Sequence, residues 1–122
     1  MTDPAPIYVV PVNTDLNWSD KKTALLTNRD VYSTANQFAS FMKQAPNVTL
    51  IGGITGGGGN PTSYYLPNGW TVVMSAHAFT LDVDKKQIEA GVEPDIYVTI
   101  TDQNIANRVD SIVERAIEEL SK

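Results

Sequence analysis

Six of the eight glycines in this chain fall within eight consecutive positions, Gly52-Gly53-Ile54-Thr55-Gly56-Gly57-Gly58-Gly59. Glycine supplies positive φ and close backbone approach, so the stretch is either a tight connection or the lining of a site beside a helix N-terminus. Directly before it, Val48-Thr49-Leu50-Ile51 is a short continuous apolar run, the pattern of a strand buried on both faces. An earlier run of the same kind, Thr23-Ala24-Leu25-Leu26-Thr27, stops at the turn-forming Asn28-Arg29-Asp30. Between them, Ser33 to Ala45 carries Ala35, Phe38, Ala39, Met42 and Ala45 at spacings of three and four. That spacing predicts an amphipathic helix, which Pro46 ends. Strand, helix, strand in this order predicts a parallel pair joined by a right-handed crossover. On this reading Phe38 is core, and Phe38→Ala is expected to cost about 3–5 kcal/mol.

The flanking segments complete one domain spanning residues 7–122, after a flexible lead-in at residues 1–6. Met1 to Pro6 has neither a basic start nor an apolar region, so it is not a signal peptide. Ile7 to Val12 is β-branched and aromatic, and Pro11 restricts it to an edge or terminal strand. Asn13 to Lys22 reads as a loop. Ser63 to Leu66 and Trp70 to Ser75 flank Pro67-Asn68-Gly69, which predicts a hairpin. Asp82 to Gly91 reads as a loop, and Ile96 to Ile100 as a last short strand. A single C-terminal helix, capped by Thr101 or Asp102, is expected to place Ile105, Val109, Ile112, Val113, Ala116, Ile117 and Leu120 on one stripe against the sheet. A chain of 122 residues suffices for one core and buries roughly 65% of its unfolded surface.

Charge and composition exclude several functions. Nine Lys+Arg against fourteen Asp+Glu give a net charge of −5, without the basic face that nucleic acid or an anionic membrane requires. No run of about 18 apolar residues could span a bilayer. With no Cys and one His, a zinc site of thiolates or several imidazoles is excluded. The glycine cluster has no Gly-Lys-Ser/Thr ending and no helical period after it, which removes a nucleotide phosphate loop. Asp82 and Asp84 with Lys85 and Lys86 resemble half a calcium loop, but no third oxygen ligand or glycine follows at the required spacing; a solvated hairpin fits better. Glu89, Glu93 and Asp95 flank Gly91 and Pro94, where carboxylates belong to turns. His77, at a strand end, reads as a surface or structural residue, with a catalytic base as the alternative.

The most informative junction is the strand 23–27, the turn 28–32 and Ser33 at the first turn of the helix. Ser33 is either an N-cap, its hydroxyl accepting from an N–H two or three residues on, or a nucleophile. For a nucleophile, the free N–H groups of Thr34 and Ala35 and the helix dipole would stabilise an adjacent oxyanion. Sequence order leaves both open.

Three blocks together resemble a known family. Leu26-Thr27-Asn28-Arg29-Asp30-Val31-Tyr32-Ser33-Thr34-Ala35-Asn36, then Val48-Thr49-Leu50-Ile51-Gly52-Gly53-Ile54-Thr55-Gly56-Gly57-Gly58, then Gly91-Val92-Glu93-Pro94-Asp95-Ile96 follow the order and spacing of the S41 serine peptidases. That family includes C-terminal processing and tricorn-like proteases. The resemblance covers roughly Lys21 to Leu120. It implies a crotonase-like, β-spiral α/β architecture, here its C-terminal portion: a mixed sheet with a crossover helix, a hairpin and a C-terminal helix. It aligns Ser33 with the family nucleophile and gives the Thr34 backbone N–H to the oxyanion hole. Glu89 is the match for a base-assisting glutamate. The resemblance further implies peptide or protein substrates, no metal or organic cofactor, and a periplasmic or envelope setting.

The departures bear on mechanism. Processing proteases draw a lysine base from the glycine loop, and the matching position here is Gly58. Tricorn-like members use a histidine from an earlier segment, and no histidine precedes Ser33. The resemblance therefore implies a nucleophile whose base lies outside this chain, leaving the chain alone nearly inactive. Two rivals keep the fold without catalysis. One is a ligand-binding module whose cleft is lined by Tyr64, Tyr65, Trp70 and Phe79. The other is an interaction domain that forms a homo-oligomer or exchanges strands through an open sheet edge.

Overall fold

A computed structural model describes residues 18–59, 61–75, 82 and 84–122. The lead-in, the expected strand Ile7 to Val12, His77 and Phe79 lie outside the described residues. The elements run β1 (Thr23–Thr27), α1 (Thr34–Met42), β2 (Val48–Gly52), β3 (Pro61–Tyr65), β4 (Thr71–Ser75), β5 (Ile96–Tyr97), α2 (Asp102–Ala106) and α3 (Ser111–Leu120).

β1 and β2 pair in parallel, with Thr23 opposite Val48 and Thr27 opposite Gly52, as the strand-helix-strand order requires. β5 joins the other side of β2 in parallel through Ile51–Ile96 and Gly52–Tyr97, so β2 is central. Only two residues of the expected strand Ile96 to Ile100 enter the ladder. β3 and β4 form an antiparallel hairpin with Tyr65 opposite Thr71. Its turn closes where the Gly69 N–H donates to the Leu66 carbonyl, with Gly69 at φ 85. Among the described residues the parallel and antiparallel pairings form two sheets, not one mixed sheet.

Alternate residues of β1 and β2 feed two cores, one on each face of the parallel sheet. On one face Leu50 and Val48 pack with Ala39 of α1 and with Ile88 and Val92, bordered by Leu25, Val31 and Met42. On the other, Ile51 meets Ile112 and Ala116 of α3, bordered by Ala24, Ile96 and Val98. This two-sided burial explains the continuous apolar run of β2. β1, expected to be buried on both faces, is only half-buried through Ala24 and Leu25 and leaves Leu26 exposed, because among the described residues it stands at the edge of the sheet.

Two expectations are corrected. Phe38 is 52% exposed, and the buried face of α1 is Asn36, Ala39 and Ser40. The helix is rotated so that two polar side chains face inward, where Asn36 finds hydrogen-bond partners in the neighbouring loops. The expected single C-terminal helix is two helices. Asp110 interrupts it, its Oδ1 accepting from the N–H groups of Ile112 and Val113, and Arg108 stands at φ 55. Capping competes with helix continuation at Asp and Asn, which takes Ile105 and Val109 out of the stripe. Of the remaining expected positions only Ile112 and Ala116 are buried, while Val113, Ile117 and Leu120 are exposed.

Candidate active site

β1, β2 and β5 run in the same direction, so the loops leaving their C-terminal ends share one end of the sheet. The loop after β1 delivers Ser33, and the loop after β2 is the glycine run. Past the strands the two chains stay side by side. The Gly56 N–H donates to the Val31 carbonyl at 2.7 Å, Tyr32 bridges Gly57 in parallel, and the Ser33 N–H donates to the Gly57 carbonyl at 2.8 Å.

Ser33 occupies the N-cap position of α1 at φ 58, ψ −126, and its side chain makes no cap hydrogen bond. The simple capping alternative therefore does not describe its hydroxyl. A β-carbon in this backbone region is strained, by about 1–3 kcal/mol for such conformers. The surrounding backbone holds it there: the N–H is tied to Gly57, and the carbonyl accepts from the Gln37 N–H at 3.1 Å. Thr34 is the first residue of α1 and is exposed. Its N–H has no backbone acceptor among the described residues, as expected of a first-turn donor.

Glu89 is half-buried beside the same loop. Its carbonyl accepts from the Gly58 N–H at 2.9 Å. A Cβ at Gly57, whose φ is 75, would collide with that carbonyl, so a glycine is required for the approach. Its carboxylate and the Gln37 amide converge on Gly59: a Cβ there would lie 3.8 Å from Glu89 Oε2 and 3.2 Å from Gln37 Nε2. The structure thus brings Ser33, Thr34 and Glu89 to the two sides of one glycine loop. At Gly58 the space where a side chain would project is open.

Sequence reasoning missed the polar core beneath them. Asn36 and Thr55 are both fully buried. Asn36 Nδ2 donates to the Ile88 carbonyl at 2.9 Å, and Asn36 Oδ1 accepts from Thr55 Oγ1 at 2.5 Å. Thr55 Oγ1 in turn accepts from the Val92 N–H at 2.6 Å. The signal available in the sequence was Thr55 itself, the one hydroxyl in the glycine run.

Other expected residues lie elsewhere. Asp95 Oδ2 accepts from the Leu50 N–H at 2.9 Å and Oδ1 pairs with Lys43 at 3.2 Å, so this carboxylate stitches β5 to β2. Asp82 closes a local turn, accepting from the Lys85 and Lys86 N–H groups. Tyr65 and Trp70 are strongly exposed on the hairpin and Tyr64 is exposed, so these three line no closed cleft. Glu119, held below the usual carboxylate range by its hydrogen bond to Lys122 and by the nearby charges of Lys122 and Arg115, belongs to α3.

Comparison with known proteins follows the same residues. The model of peptidase family S41 matches residues 9–98. No curated protein matches the chain. Among solved structures, a candidate peptidase from Parabacteroides merdae aligns with a TM-score of 0.84 and 42% identity, over 98% of this chain and 37% of its own. Mature CPAF, solved in complex with lactacystin, aligns with a TM-score of 0.65 and 22% identity, over 80% of this chain. The chain spans 19% of CPAF, a likeness in fold.

Proposed function

The chain belongs to peptidase family S41, and from that premise we propose that it carries the nucleophile half of a serine peptidase site, with the general base supplied from outside this chain. The observation that carries the reading is Ser33: strained, uncapped, and fixed at the head of α1 by Gly57. Nucleophile serines sit on such sharp strand-to-helix turns because the turn lifts Oγ clear of the helix.

In this mechanism Ser33 Oγ attacks a peptide carbonyl carbon and its proton passes to the base. The carbonyl electron pair moves onto oxygen, where the Thr34 N–H and the α1 dipole stabilise it. Collapse expels the amine, which takes the proton back from the base, and leaves an acyl-Ser33 ester. Water hydrolyses the ester by the same route. The Glu89 carboxylate, facing the glycine loop, orients the base in its charged form. Gly58 holds no lysine, so the arrangement follows the tricorn-like and not the processing type, on a crotonase-like scaffold. The substrate is a peptide or protein.

Intact-mass labelling with a fluorophosphonate tests this. A longer form of the protein that supplies the base is expected to gain one adduct that Ser33→Ala abolishes, while this chain alone stays unlabelled. No adduct on either form overturns the peptidase reading in favour of a ligand-binding or assembly role. Among the described residues β1 stands at the edge of its sheet, which supports self-pairing with a second copy, and the same measurement under native conditions reads this as dimer mass.

A further inference from the structure

We propose that Asn36 and Thr55 are positioning residues that set the separation between Ser33 and the Glu89 loop; the inference rests on the nucleophile reading above. Asn36 is on α1, three residues after Ser33. Thr55 is in the glycine loop, two residues before the carbonyl that holds the Ser33 N–H. Between them they grip both ends of the segment 88–92: Asn36 takes the Ile88 carbonyl, and Thr55 takes the Val92 N–H through its hydroxyl and the Val92 carbonyl through its own N–H at 3.1 Å. Glu89 lies inside that grip.

The hydroxyl of Thr55 is the shared element, since it donates to Asn36 and accepts from Val92. One proton and one lone pair therefore connect the nucleophile's helix, the glycine loop and the carboxylate's loop. A buried polar chain of this kind, with each member satisfied, specifies one geometry where apolar packing would accept several. Gly91 completes the fit, because a Cβ there would collide with the Thr55 carbonyl. Misplacing a catalytic group by about 1 Å can cost 10²-fold in rate, so such a brace is where a remote residue acts on the chemistry.

Thr55→Val keeps the shape and deletes the hydroxyl; Thr55→Ser keeps the hydroxyl. In the longer form of the protein, Thr55→Val is expected to slow fluorophosphonate labelling of Ser33 at least about tenfold, and Thr55→Ser to retain most of the rate. In a Glu89→Gln background, Thr55→Val is expected to add little further loss, because it acts through the position of Glu89. An equal loss in both backgrounds, or no loss at all, overturns the proposal. Amide exchange on this chain supplies an arm independent of reactivity. Thr55→Val should speed exchange at Gly58 and Val92 while β1 and β2 amides keep their protection, and Thr55→Ser should not. Unchanged exchange overturns the brace. If the wild type takes no label, the nucleophile reading fails, and exchange alone decides whether Thr55 holds the Glu89 loop.

Discussion

Ser33 carries the sharpest conflict between local preference and observed structure. Its φ of 58 suits glycine, yet a serine occupies the position without using its hydroxyl as a cap. Residues that conflict with their backbone in this way cluster at functional sites, where stability is exchanged for a placed group. Ser33→Gly is accordingly expected to raise stability by about 1 kcal/mol relative to Ser33→Ala, measured by chemical denaturation, because only glycine relieves the strain. Equal stabilities would mean the turn is unstrained. The position of Ser33 was legible from the junction of a buried strand, turn residues and a helical period. Its backbone angles were not, because they are imposed by Gly57 across the loop. Asn36 was illegible for a similar reason: in the helical pattern it reads as a solvent-facing polar residue, and only the arrival of Ile88 and Thr55 turns it inward.

Among elements, β1, β2 and the hairpin were readable because continuous apolar runs and an Asn-Gly turn are local signals. The break between α2 and α3 was hidden by an apolar stripe that continues across it. Asp110 does what the stripe conceals, satisfying two N–H groups at the start of α3. Asp110→Ala is therefore expected to cost about 0.5–2 kcal/mol, with the loss appearing in the thermal unfolding midpoint. A neutral result would mean that α3 is held by the burial of Ile112 and Ala116 alone. Strand β5 was over-read for the opposite reason: its apolar run is longer than its ladder, since Val98 packs against the Ile51 core without continuing a strand.

At the scale of the molecule, the α/β class was readable; among the described residues it takes the form of a three-stranded parallel sheet with α1 on one face and α3 on the other. Which face of α1 turned inward was legible only in part. Of the stripe Ala35, Phe38, Ala39, Met42 and Ala45, Ala39 is buried and Met42 and Ala45 border the core, but Phe38 is exposed and the polar Asn36 and Ser40 are buried instead. Leu50 lies at the centre of the sheet and is fully buried. Leu50→Ala is thus expected to cost about 2–5 kcal/mol and Phe38→Ala less than about 1 kcal/mol in urea denaturation. The reverse ranking would show the α1 face to be wrong.

The grip on the Glu89 loop also has a meaning in time. Asn36 reaches Ile88 across 52 residues of chain, and Thr55 reaches Val92 across 37. At roughly 5–20 residues per second of synthesis, the partners of Asn36 are made seconds after it. Throughout that interval the nascent chain carries Ser33 and then the glycine run without the segment 88–92 that fixes them, so the geometry around Ser33 is set only once that late-made segment has arrived.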